Sequence, residues 1–294
     1  MRRRLFPFRP KAVELSRFRH AGLRWEALAE GADLVRSRDD WSMATLRREF
    51  AAETVRRNNI ERLVFRLNRP PFAAAVKAQL SVGIKPMLRT LYGVSKGRKE
   101  WENHIRAHGL GLPVVTPLAL GEQWEFGVVQ EAVFISRWRP DTRTIQEWRC
   151  ETADEAGGEV ACDVARKLGQ LVAAVQSHGI YHNEMHFRNV LIEDVDGGRS
   201  LLLIDWKHGR ARGRITSNDL ENLLHTGRFY TRRLPFARPT ESEKRAFLAG
   251  YLGVEPDRPD RAEILAGLRA ACPDETWMDE AFQRTGDTAD EDRA

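Results

Sequence analysis

The chain has 294 residues, enough for one large domain or for two lobes with a sizeable core. Hydrophobic residues make up 42% and charged residues 30% of the sequence, typical of a soluble globular protein, and no apolar run approaches the length of a membrane span. The net charge is +5, and the three cysteines are widely spaced and odd in number. We therefore expect reduced thiols in the cytoplasm rather than a disulfide framework or a zinc site.

Residues 1–40 are interpreted as a basic extension. Residues 1–19 contain seven Arg and Lys but one Glu, and apolar side chains are interleaved with the charges, at Leu5, Phe6, Phe8 and Phe18. Such a segment can contact anionic lipid at the inner face of the cytoplasmic membrane, or it can be a solvated extension that caps the fold. It lacks the apolar centre of a secretory signal, so we expect no export. The sequence contains no recognised nucleic-acid motif, so we do not expect nucleic acid as a partner.

Residues 41–136 are predicted to form a small lobe of strands with one helix. The helix spans 96–109 and is closed by Gly109. Apolar runs bounded by Pro and Gly predict strands in the ranges 42–68, 72–80, 114–120 and 128–136.

Residues 137–272 are predicted to be mainly helical, and an acidic tail follows over 273–294. The helices are expected at 160–179, 217–226, 240–252 and 259–271, with a hairpin at 189–193 and 200–205. Strands with one helix, followed by helices with one hairpin, predict an α+β fold of the two-lobed kind found in protein kinases. Its small antiparallel-sheet N-lobe precedes a mainly helical C-lobe, and a nucleotide is expected in the cleft between the lobes.

The segment Y-H-N-E-M-H-F-R-N-V-L-I at 181–192 is the most informative part of the sequence. Together with L-L-L-I-D-W at 201–206 it places His182, Glu184, Asn189 and Asp205 in the order and spacing of a kinase catalytic loop and metal-binding strand. The chemistry explains the spacing, because a short loop must aim one carboxylate at the acceptor hydroxyl. An amide oxygen and a second carboxylate must meanwhile reach Mg²⁺. The pattern predicts phosphoryl transfer from ATP, with Glu184 as base and with Asn189 and Asp205 as Mg²⁺ ligands.

A phosphoryl-transfer site also needs a cation on the phosphates of ATP, which kinases supply as a strand Lys paired with a helix Glu. Lys77, near the end of the A-A-A-V-K strand, is the candidate cation. Glu100 on the following helix is the expected partner, with Glu102 as the alternative. Two residues along a helix rotate a side chain by about 200°, so only one of the two can face Lys77.

With these residues in view, the sequence resembles the lipopolysaccharide kinase (Kdo/WaaP) family over about residues 45–252. The matching segments are the V-K strand, the R-K-E-W-E-N helix followed by G-L-P-V-V-T-P-L-A-L-G-E, the 181–192 loop, L-L-L-I-D-W-K-H-G-R-A-R, N-D-L-E-N-L-L-H-T and T-E-S-E-K-R-A-F-L-A-G-Y-L. The resemblance implies ATP-dependent phosphorylation of a heptose or Kdo sugar of a glycolipid at the inner membrane face.

The resemblance also implies roles for individual residues. Lys77 would hold phosphates, Glu100 would orient Lys77, and His186 would lie near the transferred phosphate. Asp219 would either brace the catalytic loop or cap a helix. The basic run after the metal strand would either recognise an anionic sugar lipid or be a solvated loop; its members are Lys207, His208, Arg210, Arg212 and Arg214.

The sequence departs from the kinase pattern in two places. Glu184 stands where the base is normally Asp, which adds one methylene to its reach, and no glycine occurs between Gly31 and Gly83 to form a phosphate-covering loop. Arg56 or Arg57 could serve the phosphates instead. A kinase-like binding module without turnover therefore remains an alternative, as does an aminoglycoside-, choline- or protein-type kinase. Asn183 and the short stretch from Asp205 to Asp219 favour a small acceptor, and we expect a monomer.

Overall fold

The structure is a computed structural model that describes residues 13–50, 55–57, 60–69, 72–81, 95–152, 158–196, 198–211, 223, 239–253, 266 and 269. The described residues divide into two compact units. The sheet unit extends from residue 13 to Pro140 and includes Asp205–His208, while the helical unit contains Asp141–Ile204 and the described residues from Gly209 onward. The predicted α+β class is confirmed. The predicted lobe boundaries stay a prediction.

The described part of the sheet unit contains a seven-stranded antiparallel sheet and three helices. The strands are β1 (Ser16–His20), β2 (Leu23–Ala27), β3 (Val55–Arg57), β4 (Ile60–Arg69), β5 (Phe72–Ser81), β6 (Pro117–Glu125) and β7 (Val128–Arg137). Their order in the sheet is β1-β2-β6-β7-β5-β4-β3. The helices are α1 (Ala29–Arg36), α2 (Met43–Phe50) and α3 (Lys96–Gly109). The predicted 96–109 helix and the strands near 72–80, 114–120 and 128–136 are confirmed.

One face of this sheet carries the main core. Trp25 of β2 is 1% exposed and meets Trp41 edge to face, with ring centroids 5.5 Å apart. Gly121 of β6 makes this packing possible, because a Cβ there would lie 2.7 Å from the Trp25 ring. The other face packs on α3 through Trp101, Leu120 and Phe134.

Two segments differ from the sequence interpretation. Residues 43–50, predicted within a strand region, form helix α2, because Met43 and Leu46 are buried one turn apart with Phe50 on the same side. Part of the predicted extension belongs to the sheet, since β1 and β2 form a hairpin across Ala21 and Gly22. Both turn residues have positive φ, 50° and 77°, as a two-residue hairpin turn requires.

The helical unit contains three helices in its described part, α4 (Ile145–Glu151), α5 (Glu159–Ser177) and α6 (Glu241–Gly253). Its strands are β8 (Thr142–Thr144), β9 (Ile180–Tyr181), β10 (Val190–Val195), β11 (Gly198–Leu203) and β12 (Arg210–Ala211). The β10–β11 hairpin pairs with β8, and β12 pairs with β9. The predicted hairpin and the helices at 160–179 and 240–252 are confirmed. Apart from residues 223, 266 and 269, the predicted helices at 217–226 and 259–271 lie outside the described residues.

Helices α5 and α6 pack so closely that glycines of each helix contact the backbone of the other. A Cβ on Gly169 of α5 would lie 2.0 Å from the Phe247 carbonyl oxygen, and a Cβ on Gly250 of α6 would lie 2.1 Å from that of Arg166. A buried ion pair joins α4 to α6, with Arg149 Nη1 2.7 Å from Glu243 Oε1. In the part of the chain that the structure describes, no helix is both long enough and apolar enough to cross a membrane.

Candidate active site

Lys77 is positioned by the alternation of β5. Its neighbour Val76 is fully buried in the core on one face of the sheet. Successive side chains of a strand point to opposite faces, so Lys77 lies on the other face, where its register partner Phe134 packs against Trp101 of α3. The strand therefore presents the ammonium group on the α3 side of the sheet.

Helix α3 supplies the partner. Lys77 Nζ lies 2.6 Å from Glu100 Oε1, and Glu100 is 1% exposed. The helix begins at a hydrogen-bonded cap, with Ser95 Oγ accepting from the Arg98 backbone N–H. Glu102, the alternative partner, is exposed and lines a different pocket. The structure thus pairs Lys77 with Glu100.

Asp205 belongs to the same cluster. Strand β11 ends at Leu203, so Asp205 lies two residues beyond the strand rather than at its end, and its φ is 61°. Its Oδ1 is 3.5 Å from Lys77 Nζ, and its Oδ2 is 2.8 Å from Lys207 Nζ. The following turn is held against α3, because Asn103 Nδ2 donates to the Trp206 carbonyl oxygen at 3.0 Å.

The cluster of Lys77, Glu100, Asp205 and Lys207 balances two ammonium groups with two carboxylates. Burial alone lowers the pKa of Lys77, but the charges of Glu100 and Asp205 outweigh it, so the pKa lies above its ordinary value. Burial raises the pKa of Glu100 above its ordinary value despite the opposing charge of Lys77. The sequence interpretation placed Lys207 only in a basic run and missed its pairing with Asp205.

The predicted catalytic loop lies in the helical unit and is tied at both ends to Ile204, the residue before Asp205. His182 is fully buried, with Nε2 2.8 Å from the Ile204 carbonyl oxygen. The Ile204 backbone N–H donates to the Asn189 carbonyl oxygen at 3.0 Å. Buried Met185 anchors the middle of the loop. These contacts join the start and the end of the loop to Ile204, and a catalytic role for His182 stays a prediction.

Asn189 closes the loop with its side chain. Its Nδ2 donates to the Glu184 carbonyl oxygen at 2.9 Å and lies 3.3 Å from His186 Nε2. The amide nitrogen is engaged by these contacts, so the amide oxygen is the atom that can face a cation. Glu184 itself is half-buried and follows Asn183, whose φ is 60°.

The oxygen donors suit Mg²⁺, which prefers carboxylate and amide oxygens and is usually held by few protein ligands together with phosphates. Among the described residues, no group of three or more His, Cys, Asp and Glu could hold a metal ion. That Asn189 and Asp205 bind the same ion stays a prediction.

Some predicted site residues cannot be placed. Asp219, Arg212 and Arg214 lie outside the described residues, and so do the side chains of Arg56 and Arg57. The backbone of the last two forms β3, which pairs with β4 where the sequence interpretation expected a phosphate-covering segment.

Comparison with known proteins gives a consistent result. The model of the lipopolysaccharide kinase (Kdo/WaaP) family matches residues 76–251, more than half of the chain. The fold is similar to that of WaaP in complex with acyl carrier protein, with 17% identity and a TM-score of 0.57, over 89% of this chain and 99% of that one. This likeness confirms the predicted kinase-like fold. No curated protein sequence matches the chain.

Two other solved structures are more distant. A glucosamine kinase matches with 14% identity and a TM-score of 0.41, covering 90% of this chain and 86% of that one. A Toxoplasma gondii rhoptry antigen kinase domain matches with 11% identity and a TM-score of 0.35, covering 77% and 83%.

Proposed function

The chain belongs to the lipopolysaccharide kinase (Kdo/WaaP) family, and we propose that it transfers a phosphoryl group from ATP to a sugar hydroxyl, a heptose or Kdo, of the lipopolysaccharide core or a related glycolipid. The observation that carries the proposal is the Lys77–Glu100 ion pair with Asp205 beside it. A strand Lys that is paired with a helix Glu, with a metal-binding Asp nearby, is the arrangement that kinases use to fix ATP phosphates.

Each residue has a defined role in this proposal. Lys77 binds phosphate oxygens, and Glu100 holds its ammonium group in place. Asn189 and Asp205 provide oxygen ligands for Mg²⁺, which would neutralise the charge of the phosphates. Glu184 accepts the proton of the acceptor hydroxyl, and His186 lies near the transferred group. Phosphoryl transfer depends mainly on positioning and electrostatics, so the added methylene of Glu184 is compatible with turnover.

The test is ADP release with Mg²⁺-ATP in the presence and absence of delipidated core lipopolysaccharide or heptose and Kdo acceptors. Acceptor-stimulated release is expected in the wild type. Asp205→Asn should lower kcat at least about a hundredfold, because a charged ligand is lost. Asp33→Asn is the matched control, since Asp33 is exposed on α1.

Glu184→Gln tests the base separately. Loss of a general base lowers the rate by about 10²–10⁴-fold, whereas ATP affinity should be retained. Glu159→Gln, an exposed position on α5, is its control. Wild-type rates in Glu184→Gln would remove that residue from the mechanism without affecting the kinase assignment.

The second candidate is a nucleotide-binding module without turnover. Lys207 already occupies Asp205 Oδ2 at 2.8 Å, and Glu184 replaces the usual Asp. ATP binding without acceptor-stimulated ADP release would favour this candidate, and absence of ATP binding would exclude both.

Peripheral membrane contact by residues 1–40 and a monomeric state also belong to the proposal. Described residues of this segment form β1, β2 and α1 of the sheet unit. Sedimentation with vesicles containing anionic lipid, and light scattering in solution, test the two statements. Binding to neutral vesicles alone would contradict the electrostatic contact.

A further inference from the structure

A pocket of the sheet unit lies apart from the Lys77 cluster. It has a volume of about 610 Å³ and lies between the start of α3 and strands β1, β2 and β6. Arg98 and Glu102 of α3 line it, whereas Glu100 between them does not. Because each helical residue is rotated by about 100° from the last, this pocket and Lys77 contact different sides of α3.

The floor of the pocket is a network of hydrogen bonds and ion pairs in which arginines neutralise the carboxylates. Arg98 makes ion pairs with Glu26 at 2.6 Å and with Glu122 at 2.7 Å. Ser95 Oγ donates to Glu122 at 2.6 Å, and Arg17 pairs with Glu26 at 3.2 Å. The two floor carboxylates are therefore satisfied by partners of opposite charge or by a hydroxyl.

The rim carries Arg19 and Arg24 together with the carboxylate of Glu102, so the four arginines that line the pocket exceed its three glutamates by one positive charge. Arg19 and Arg24 are exposed and stand directly opposite each other in the β1–β2 register. Neither forms an ion pair with another described residue. Like charges directly opposite in an antiparallel pair, with Cβ atoms about 5 Å apart, destabilise the hairpin. An anion between the two guanidinium groups would remove this repulsion.

Trp124 adds a flat surface beside these charges. Its side chain is 39% exposed, and the Arg24 guanidinium lies 5.9 Å from the ring centroid. Arginine forks match the oxygens of phosphate in two-point contacts, and an indole face accepts a ring attached to the phosphate. We propose that this pocket binds a small phosphate-bearing molecule through Arg19 and Arg24. This inference goes beyond the proposed phosphotransferase activity and does not depend on it.

The test is calorimetric titration of the whole chain with inorganic pyrophosphate, without nucleotide, Mg²⁺ or acceptor. The wild type should show a binding event that Arg19→Gln/Arg24→Gln weakens at least tenfold. Arg48→Gln/Arg106→Gln is the matched control, because it removes the same charge from exposed positions outside the pocket and should retain wild-type affinity.

Thermal unfolding provides the second readout. Pyrophosphate should raise the melting temperature of the wild type and of the control by more than that of the Arg19→Gln/Arg24→Gln variant, because any binding at Lys77 is common to all three. Without pyrophosphate, Arg19→Gln should be at least as stable as the wild type, because one of the opposed charges is gone. Equal loss of affinity in both double variants, or no loss in either, would overturn the proposal.

Discussion

At the scale of single residues, the Lys77–Glu100 pair is where stability and function are most closely connected. Glu100 is almost completely buried and has Lys77 as its close cation. Removing one member of a buried ion pair costs more than removing both, because the remaining charge is left without compensation. Lys77 is therefore required for folding stability as well as for the proposed contact with phosphate.

We expect Lys77→Met to lower the free energy of unfolding by about 3–5 kcal/mol at pH 8. The double variant Lys77→Met/Glu100→Leu should recover most of this lost stability. The single and the double variant should both lack the proposed kinase activity. Urea unfolding monitored by tryptophan fluorescence measures the difference. A double variant no more stable than the single one would contradict the prediction.

Glu100 also makes the folding stability of the Lys77→Met variant depend on pH. The pKa of Glu100 is already raised by burial, and loss of Lys77 raises it further. The folded variant then binds a proton that the unfolded chain releases, so its stability should fall as the pH rises above the ordinary value of 4.5. The destabilisation relative to wild type should accordingly be smaller at pH 5 than at pH 8.

At the scale of elements, the α5–α6 contact depends on the absence of two side chains. Gly169→Ala or Gly250→Ala should each destabilise the protein by about 1–3 kcal/mol, because the new methyl group would overlap a backbone carbonyl that cannot rotate away. Gly253→Ala at the end of α6 is the control, since a Cβ there meets nothing within 4 Å. This control should be neutral or stabilising by up to about 1 kcal/mol. Equal effects at all three positions, measured by chemical unfolding, would argue against close helix packing.

The elements also show what sequence patterns could and could not predict. The 160–179 helix and the hairpin that follows were predictable because their periods of hydrophobicity are long and regular. The α2 helix was missed although Met43, Leu46 and Phe50 have helical spacing, because eight residues hold little more than two turns. The β1–β2 hairpin was missed although Phe18, Leu23 and Trp25 alternate around Ala-Gly, since the dense basic charge suggested an extension.

The roles predicted for the site residues stay predictions, but part of the local geometry follows from the spacing of the sequence. A five-residue interval joins Glu184 to Asn189 because the loop must return its end to its start, as the Asn189 side chain does. The Lys207–Asp205 contact and the ion pairs of Arg98 depend on tertiary placement of long side chains, which no local pattern encodes.

At the scale of the whole molecule, each unit contains a carboxylate whose pKa lies below its ordinary value. In the helical unit, burial acts to raise the pKa of Glu243, but hydrogen bonds from Arg149 and Thr240 outweigh it. In the sheet unit, hydrogen bonds from the Thr45 hydroxyl and the Ser42 backbone lower the pKa of Asp40. Both groups stabilise the folded state in their ionised form.

Stability should therefore be lost in acid. As the pH falls, these carboxylates are protonated first in the unfolded chain, near their ordinary pKa values of 4.5 for Glu243 and 3.8 for Asp40. The stabilisation of the folded state is therefore complete above these pKa values. The stabilisation disappears as the pH falls through the lower pKa values that the two groups have in the folded protein. Urea unfolding between pH 7 and pH 3 measures this slope, and Glu243→Gln should reduce it. A slope that is unchanged in Glu243→Gln would show that other carboxylates control acid unfolding.

Helix α3 has a consequence for how the sheet unit responds to ligands. One side of the helix holds Lys77 through Glu100, and another side holds the network of Glu26 and Glu122 through Arg98. A shift of this 14-residue helix displaces the residues on both of its sides together. If an anion at Arg19 and Arg24 changes the affinity of Lys77 for phosphate through α3, then phosphate at Lys77 must change the affinity for that anion by the same factor. Helix α3 therefore connects the two sites, and binding of a ligand at one site can be detected by its effect on the affinity of the other.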